Sequence, residues 1–182
     1  MLSCQIIYSY SHMKKKTLFW IALAFTPAIF VAIIIIDKHL QTDAAPCGIV
    51  SFECAKTLDQ SILMLNSWDA EAKVYAALSL GIDYLYLLAY GSFLSLSILL
   101  LASKLPPGFL KKWAKIAALM IVLAALLDAV ENYALIQLLT DVPSQSMTSL
   151  AYYCAAVKFS LIGVGIFYLL AVLIFLGIKK VN

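Results

Sequence analysis

Four stretches of this chain stay apolar for twenty residues or more, and that pattern suits one solvent, the interior of a lipid bilayer. They cover about residues 17–36, 74–103, 113–140 and 149–178. Each reaches the ~20 residues a helix needs to cross ~30 Å of hydrocarbon. No water is available there for backbone N–H and C=O groups, so such spans must be helices that satisfy those groups internally. The expectation is an all-α membrane four-helix bundle. Charged residues make up 13% of the chain, against about 25% in soluble domains. The spans leave no room for a second folded unit, so residues 1–182 read as a single transmembrane domain.

Lysine placement orients the spans. The chain has 13 basic residues, all lysines. Lys14, Lys15, Lys16, Lys104, Lys111, Lys112, Lys115, Lys179 and Lys180 all fall on one side, with no acid among them. The other side has Lys38, Lys56 and Lys73 beside Asp37, Asp43, Glu53, Asp59, Asp69, Glu71 and Asp141. That bias predicts both termini in the cytoplasm. Lysines flanking apolar spans, without an arginine-containing stripe, argue against nucleic acid as a partner.

Span one follows Met13-Lys14-Lys15-Lys16 but ends in Ile-Ile-Ile-Ile-Asp-Lys with no small-x-small cleavage site. It reads as a retained anchor. Met13 could itself be the first residue, which would remove Cys4 and His12. Pro27 predicts a kink, because proline lacks the N–H for one backbone bond.

Residues 37–73 form the outer loop. Pro46-Cys47-Gly48 marks a turn. Beyond it Ser51, Ala55, Leu58, Ile62 and Leu65 recur at helical spacing, which predicts an amphipathic helix between spans one and two. Such a helix caps the spans or lies on the bilayer surface. Trp68 suits the headgroup region.

Cys47 and Cys54 share this loop, where oxidation is possible. Four-helix thiol oxidases have a similar topology but carry a Cys-x-x-Cys pair, and this chain has none. A structural disulfide or two free buried thiols is the better reading. His12 and His39 fall on opposite sides of the membrane and cannot share an ion. No cofactor or metal is expected.

Inside the spans stand four ionisable residues, Asp83, Asp128, Glu131 and Lys158. A charge at the centre of a spanning helix costs roughly 2.5–3.5 kcal/mol on insertion scales, which makes each a candidate functional residue. Asp83 lies nine residues in from Val74, Glu131 nine from Thr140 and Lys158 nine from Ser149. At 1.5 Å per residue all three sit roughly 13 Å below their outer ends, with Asp128 a turn deeper. Short loops make these spans neighbours, so the groups are expected to converge. Tyr86 and Tyr90 share the Asp83 face, together with Ser79. Asn132 and Glu131 share that of Asp128 at spacings of three and four.

Ser51-Phe52-Glu53, Trp68, Asp83-Tyr84, Leu127-Asp128-Ala129-Val130-Glu131-Asn132 and Lys158-Phe159 resemble the recurring pattern of a group of small, uncharacterised bacterial four-span membrane proteins. The resemblance covers roughly Gly48 to the C-terminus, and Leu-Asp-x-x-Glu-Asn is its most specific part. It brings no reaction with it. It does imply that Glu53, out in the loop, belongs with the membrane acids.

The expected site is therefore Asp83, Asp128, Glu131, Lys158, Glu53, Tyr86, Tyr90 and Asn132. Its leading reading is binding from the outer leaflet of a small amphipathic or cationic molecule, a lipid headgroup or a partner membrane protein. An intramembrane acid–base enzyme acting on a lipid-like substrate is one alternative. A purely structural polar clasp is the other.

Overall fold

The computed structural model describes the backbone of residues 2–181 and the side chains of residues 13–179; Cys4 and His12 lie outside the described side chains. Six α-helices follow in order: α1 (Leu2–Asp37), α2 (Ile49–Glu53), α3 (Leu58–Ser67), α4 (Ala70–Ala102), α5 (Phe109–Thr140) and α6 (Gln145–Val181). A 3₁₀ turn, Lys38–Leu40, follows α1. Four helices, α1, α4, α5 and α6, are long and apolar enough to cross a membrane, and the chain is a multi-pass membrane protein. The 33 residues of α4 extend about 50 Å at 1.5 Å each, more than the hydrocarbon thickness, so the helix tilts or projects beyond it.

Helix ends follow local chemistry. Asp69 caps α4, its carboxylate accepting from Ala72 N at 2.8 Å. Pro106 and Pro107 fall between α4 and α5, where a proline ring ends helical continuation. The connections α4–α5 and α5–α6 are only a few residues long, which forces antiparallel neighbours. Helix α1 continues through Pro27 without interruption.

The main seams join α5 to α6, α4 to α5 and α1 to α4. Along α5, Ala114, Ala117, Ala118 and Ala124 are buried in these seams. Small side chains let helices approach where lipid supplies no hydrophobic driving force. Two apolar layers result. One, on the side of the long loop, gathers Leu40, Phe52, Trp68, Leu80 and Leu135. The other, towards the chain termini, gathers Ile98, Leu105, Ile121 and Val172. Between them, on α4, α5 and α6, lies the polar layer.

The loop departs from its expected form in three ways. The amphipathic segment from Ser51 to Leu65 is helical but broken at Cys54–Thr57 into α2 and α3. Thr57 starts α3 with a capping box, its hydroxyl accepting from Gln60 N while the Gln60 side chain accepts from Thr57 N. That reciprocal pair makes a new helix start locally favourable. Trp68 is not at a lipid interface. It is 2% exposed, packs edge-on against Phe52 and donates its indole N–H to Leu40 O at 2.8 Å. Cys47 and Cys54 are free and exposed, so neither the disulfide nor the buried-thiol expectation holds.

The clasp between α1 and α2 positions the site. Asp37, at the end of α1, accepts from Ile49 N at 2.7 Å. Gly48 makes this possible, with φ +54° and no Cβ where the Asp37 carboxylate lies. This fastening directs α2 inward so that Glu53, in its last turn, is buried.

Candidate functional site

Lys158 on α6 is the hub of the polar layer. It is 5% exposed, and its ammonium donates to Asp128 Oδ1 at 2.6 Å, Glu131 Oε1 at 2.9 Å and Glu53 Oε2 at 3.4 Å. An ammonium has three N–H donors, so these three acceptors exhaust it. Asp128 and Glu131 reach it together because they are three residues apart on α5. Asp128 Oδ2 also accepts from the Tyr90 hydroxyl of α4 at 2.9 Å. Four elements, α2, α4, α5 and α6, are thereby joined through one network. Glu131 is fully buried, and its Oε2 has no hydrogen-bond partner among the described residues. Burial pushes the Glu53 carboxyl above its ordinary range, opposed by nearby Lys158 and reinforced by Asp128.

Asp83 stands apart. Its Oδ2 accepts from Asn132 Nδ2 at 2.6 Å, and every ion pair in the layer goes to Lys158 from another acid. Among the described residues Asp83 has no cationic partner. It lines a cavity of about 400 Å³ shared with Glu53, Tyr86, Tyr90, Asp128, Asn132 and Lys158.

Most of that cavity is apolar. Its walls include Phe30 and Ile33 of α1, Phe93 of α4 and Phe159 and Ile162 of α6, with Ile49 of α2 on the loop side. Phe30 stacks on Tyr86 with ring centroids 5.8 Å apart, and Tyr86 lies 5.2 Å from Tyr90. The surface offers π faces next to carboxylates, a combination that attracts organic cations.

Thus Glu53, Asp128, Glu131, Lys158 and Tyr90 are in direct contact, and Asp83, Asn132 and Tyr86 adjoin them without touching the lysine. The contribution of α1 had no signal in the sequence. Span one has no ionisable residue, and an aromatic facing a cavity looks like one facing lipid. No group of three or more His, Cys, Asp and Glu side chains among the described residues has the arrangement to hold a metal ion. Cys54, though exposed, lies near this network, and partial desolvation, with Glu53 and Glu131 adding to it, pushes its thiol up, away from the reactive thiolate.

No family model, curated protein or solved structure matches this chain.

Proposed function

We propose that this protein is a membrane receptor for a small amphipathic molecule with a cationic head, held at Asp83. The observation that carries this reading is a carboxylate without a cationic partner, lining a largely apolar cavity, beside a lysine already shared among three other acids. Asp83 is half-buried within a membrane-spanning helix, where a charge is retained only with compensation, and a cationic ligand supplies it. The aromatic walls favour an ammonium head over a metal ion. On this reading the Lys158 network is a clasp that fixes the backs of α4, α5 and α6 and holds Glu53 of α2 in place.

The lysine asymmetry supports cytoplasmic termini, which turns the α2 side of the cavity to the outer leaflet, and the motif resemblance supports a bacterial inner-membrane location. Glu53, Asp83, Asp128, Glu131, Asn132 and Lys158 all belong to the motifs shared with the small four-span bacterial proteins. Membership of that group rests on the motif resemblance and is part of this proposal.

The test is titration of the protein in zwitterionic-lipid nanodiscs with phenyltrimethylammonium. Saturable binding is expected, weakened roughly ten- to hundredfold by Asp83→Asn, which removes the coulombic attraction of the carboxylate for the cation; each factor of ten is about 1.4 kcal/mol. Equal binding of the neutral isostere tert-butylbenzene, or no loss in Asp83→Asn, would overturn the reading.

A further inference from the structure

Resting on that reading, the geometry points to a narrower ligand class: a single-chain ammonium amphiphile drawn from the bilayer, its head at Asp83 and its tail in the cleft between α1 and α6. The first observation is the shape of the bundle. Helix α1 packs along α4, while no seam of comparable extent joins α1 to α6. Both nevertheless contribute apolar side chains to the same cavity, Phe30 and Ile33 from one and Phe159, Ile162 and Ile166 from the other. Phe30, Phe159 and Ile166 remain 48%, 48% and 43% exposed. A cavity wall that is also exposed surface, at membrane depth, opens to lipid.

The second observation is partial cover at the loop-side end. Ile49 and Val50 of α2 line the loop-side end of the cavity, and α2 is fastened there by the Asp37–Ile49 bond. Phe52 and Trp68 pack behind it. Ile49 is 5% exposed and Val50 43%, so the loop-side end is partly covered, while the flank between α1 and α6 is open to the bilayer.

The third is polarity along the cavity. Asp83 and Glu53 lie towards the loop side. On α4 the lining continues to Leu94, eleven residues further, or on the order of 16 Å at 1.5 Å per residue. Asp83 is thirteen residues into the 33-residue α4, so the acids lie deep in the membrane and the apolar lining runs on from them towards the side of the chain termini. A cation that enters through the open flank places its head at the depth of the acids and its tail along that lining. One cleft of this volume takes one tail. The carboxylate surplus selects a cationic head over an anionic or zwitterionic phospholipid headgroup by charge complementarity.

The experiment uses the full chain in zwitterionic nanodiscs and a decyltrimethylammonium probe with a mid-chain diazirine. After irradiation, adducts are mapped by mass spectrometry. Adducts are expected within residues 26–33 of α1 and 159–166 of α6, removed by excess unmodified decyltrimethylammonium. Ile166→Trp, which fills the lower cleft, should reduce them by about tenfold, equivalent to about 1.4 kcal/mol. Adducts spread over lipid-facing positions of α5 such as Leu119 and Leu126, indifferent to competitor, would overturn the tail assignment. If phenyltrimethylammonium still bound at Asp83 in that case, the cation site would stand and the tail would lie elsewhere. If neither compound bound saturably, both would fall.

Discussion

Asp83 and Lys158 face the same cavity yet do not pair. The ammonium is occupied by Asp128, Glu131 and Glu53, and the carboxylate is held by the neutral amide of Asn132. Equal depth along adjacent helices would have made them the obvious ion pair. Asn132, one turn beyond Asp128 on α5, donates to Asp83 instead. The layer is thereby divided into a cluster that occupies all three donors of the ammonium and one acid that has no cationic partner among the described residues.

This division gives opposite expectations for two similar substitutions. Asp83→Asn preserves an acceptor for Asn132 and breaks no ion pair, so thermal unfolding in detergent should stay close to wild type. Asp128→Asn removes one anion from Lys158 and disturbs the acceptor of Tyr90. It should cost about 1–3 kcal/mol, the range for leaving a buried partner poorly satisfied. Equal unfolding temperatures for the two variants would count against the division.

Gly48→Ala should loosen α2. The residue sits at φ +54°, and a methyl group there meets the Asp37 carboxylate that holds Ile49 N. Backbone held in so sparsely populated a region costs on the order of 1–3 kcal/mol. Amide exchange across residues 49–53 should accelerate roughly ten- to hundredfold, since each 1.4 kcal/mol is a factor of ten, while amides in the middle of α5 keep their protection. Unchanged exchange in α2 would show that Gly48 is not what secures it.

Depth was legible from the sequence because it depends only on helix rise and on where spans end. It placed Glu131 and Lys158 at one level, and they meet at 2.9 Å. Which side chains touch depends on helix rotation, which depth does not encode, so Asp83 stays off the lysine. The break at Cys54–Thr57 had a local signal in Thr57-x-x-Gln60, but hydrophobic periodicity ran across it. Trp68 at a loop end reads as an interfacial anchor. Its burial follows from packing on Phe52 and bonding to Leu40, twenty-eight residues away. Glu53 reaches Lys158 across 105 residues of chain, and only the motif resemblance hinted at it.

Both termini should be cytoplasmic and residues 37–73 external. Because Cys47 and Cys54 are exposed, the experiment requires a chain with its own cysteines replaced. In that background a membrane-impermeant maleimide applied to intact cells should label Asp43→Cys and spare Val181→Cys. The reverse pattern would invert the orientation and move the cavity to the cytoplasmic leaflet.

The final expectation concerns the lysine itself. Lys158→Met keeps most of the side-chain volume but leaves Glu53, Asp128 and Glu131 facing one another without a cation. Removing one member of a buried charge cluster typically costs about 3–5 kcal/mol, because the remaining charge is uncompensated. The variant should therefore unfold at markedly lower temperature or accumulate poorly. Neutralising the acids at the same time, as Lys158→Met/Asp128→Asn/Glu131→Gln, removes most of that penalty and should restore much of the lost stability. Such recovery identifies uncompensated charge, and not lost packing, as the cause. Asp83 is untouched in the triple variant, so binding of phenyltrimethylammonium should persist wherever the fold is restored. A triple variant as unstable as Lys158→Met would instead assign the lysine's contribution to packing. One that folds but no longer binds the cation would show that Asp83 does not act alone.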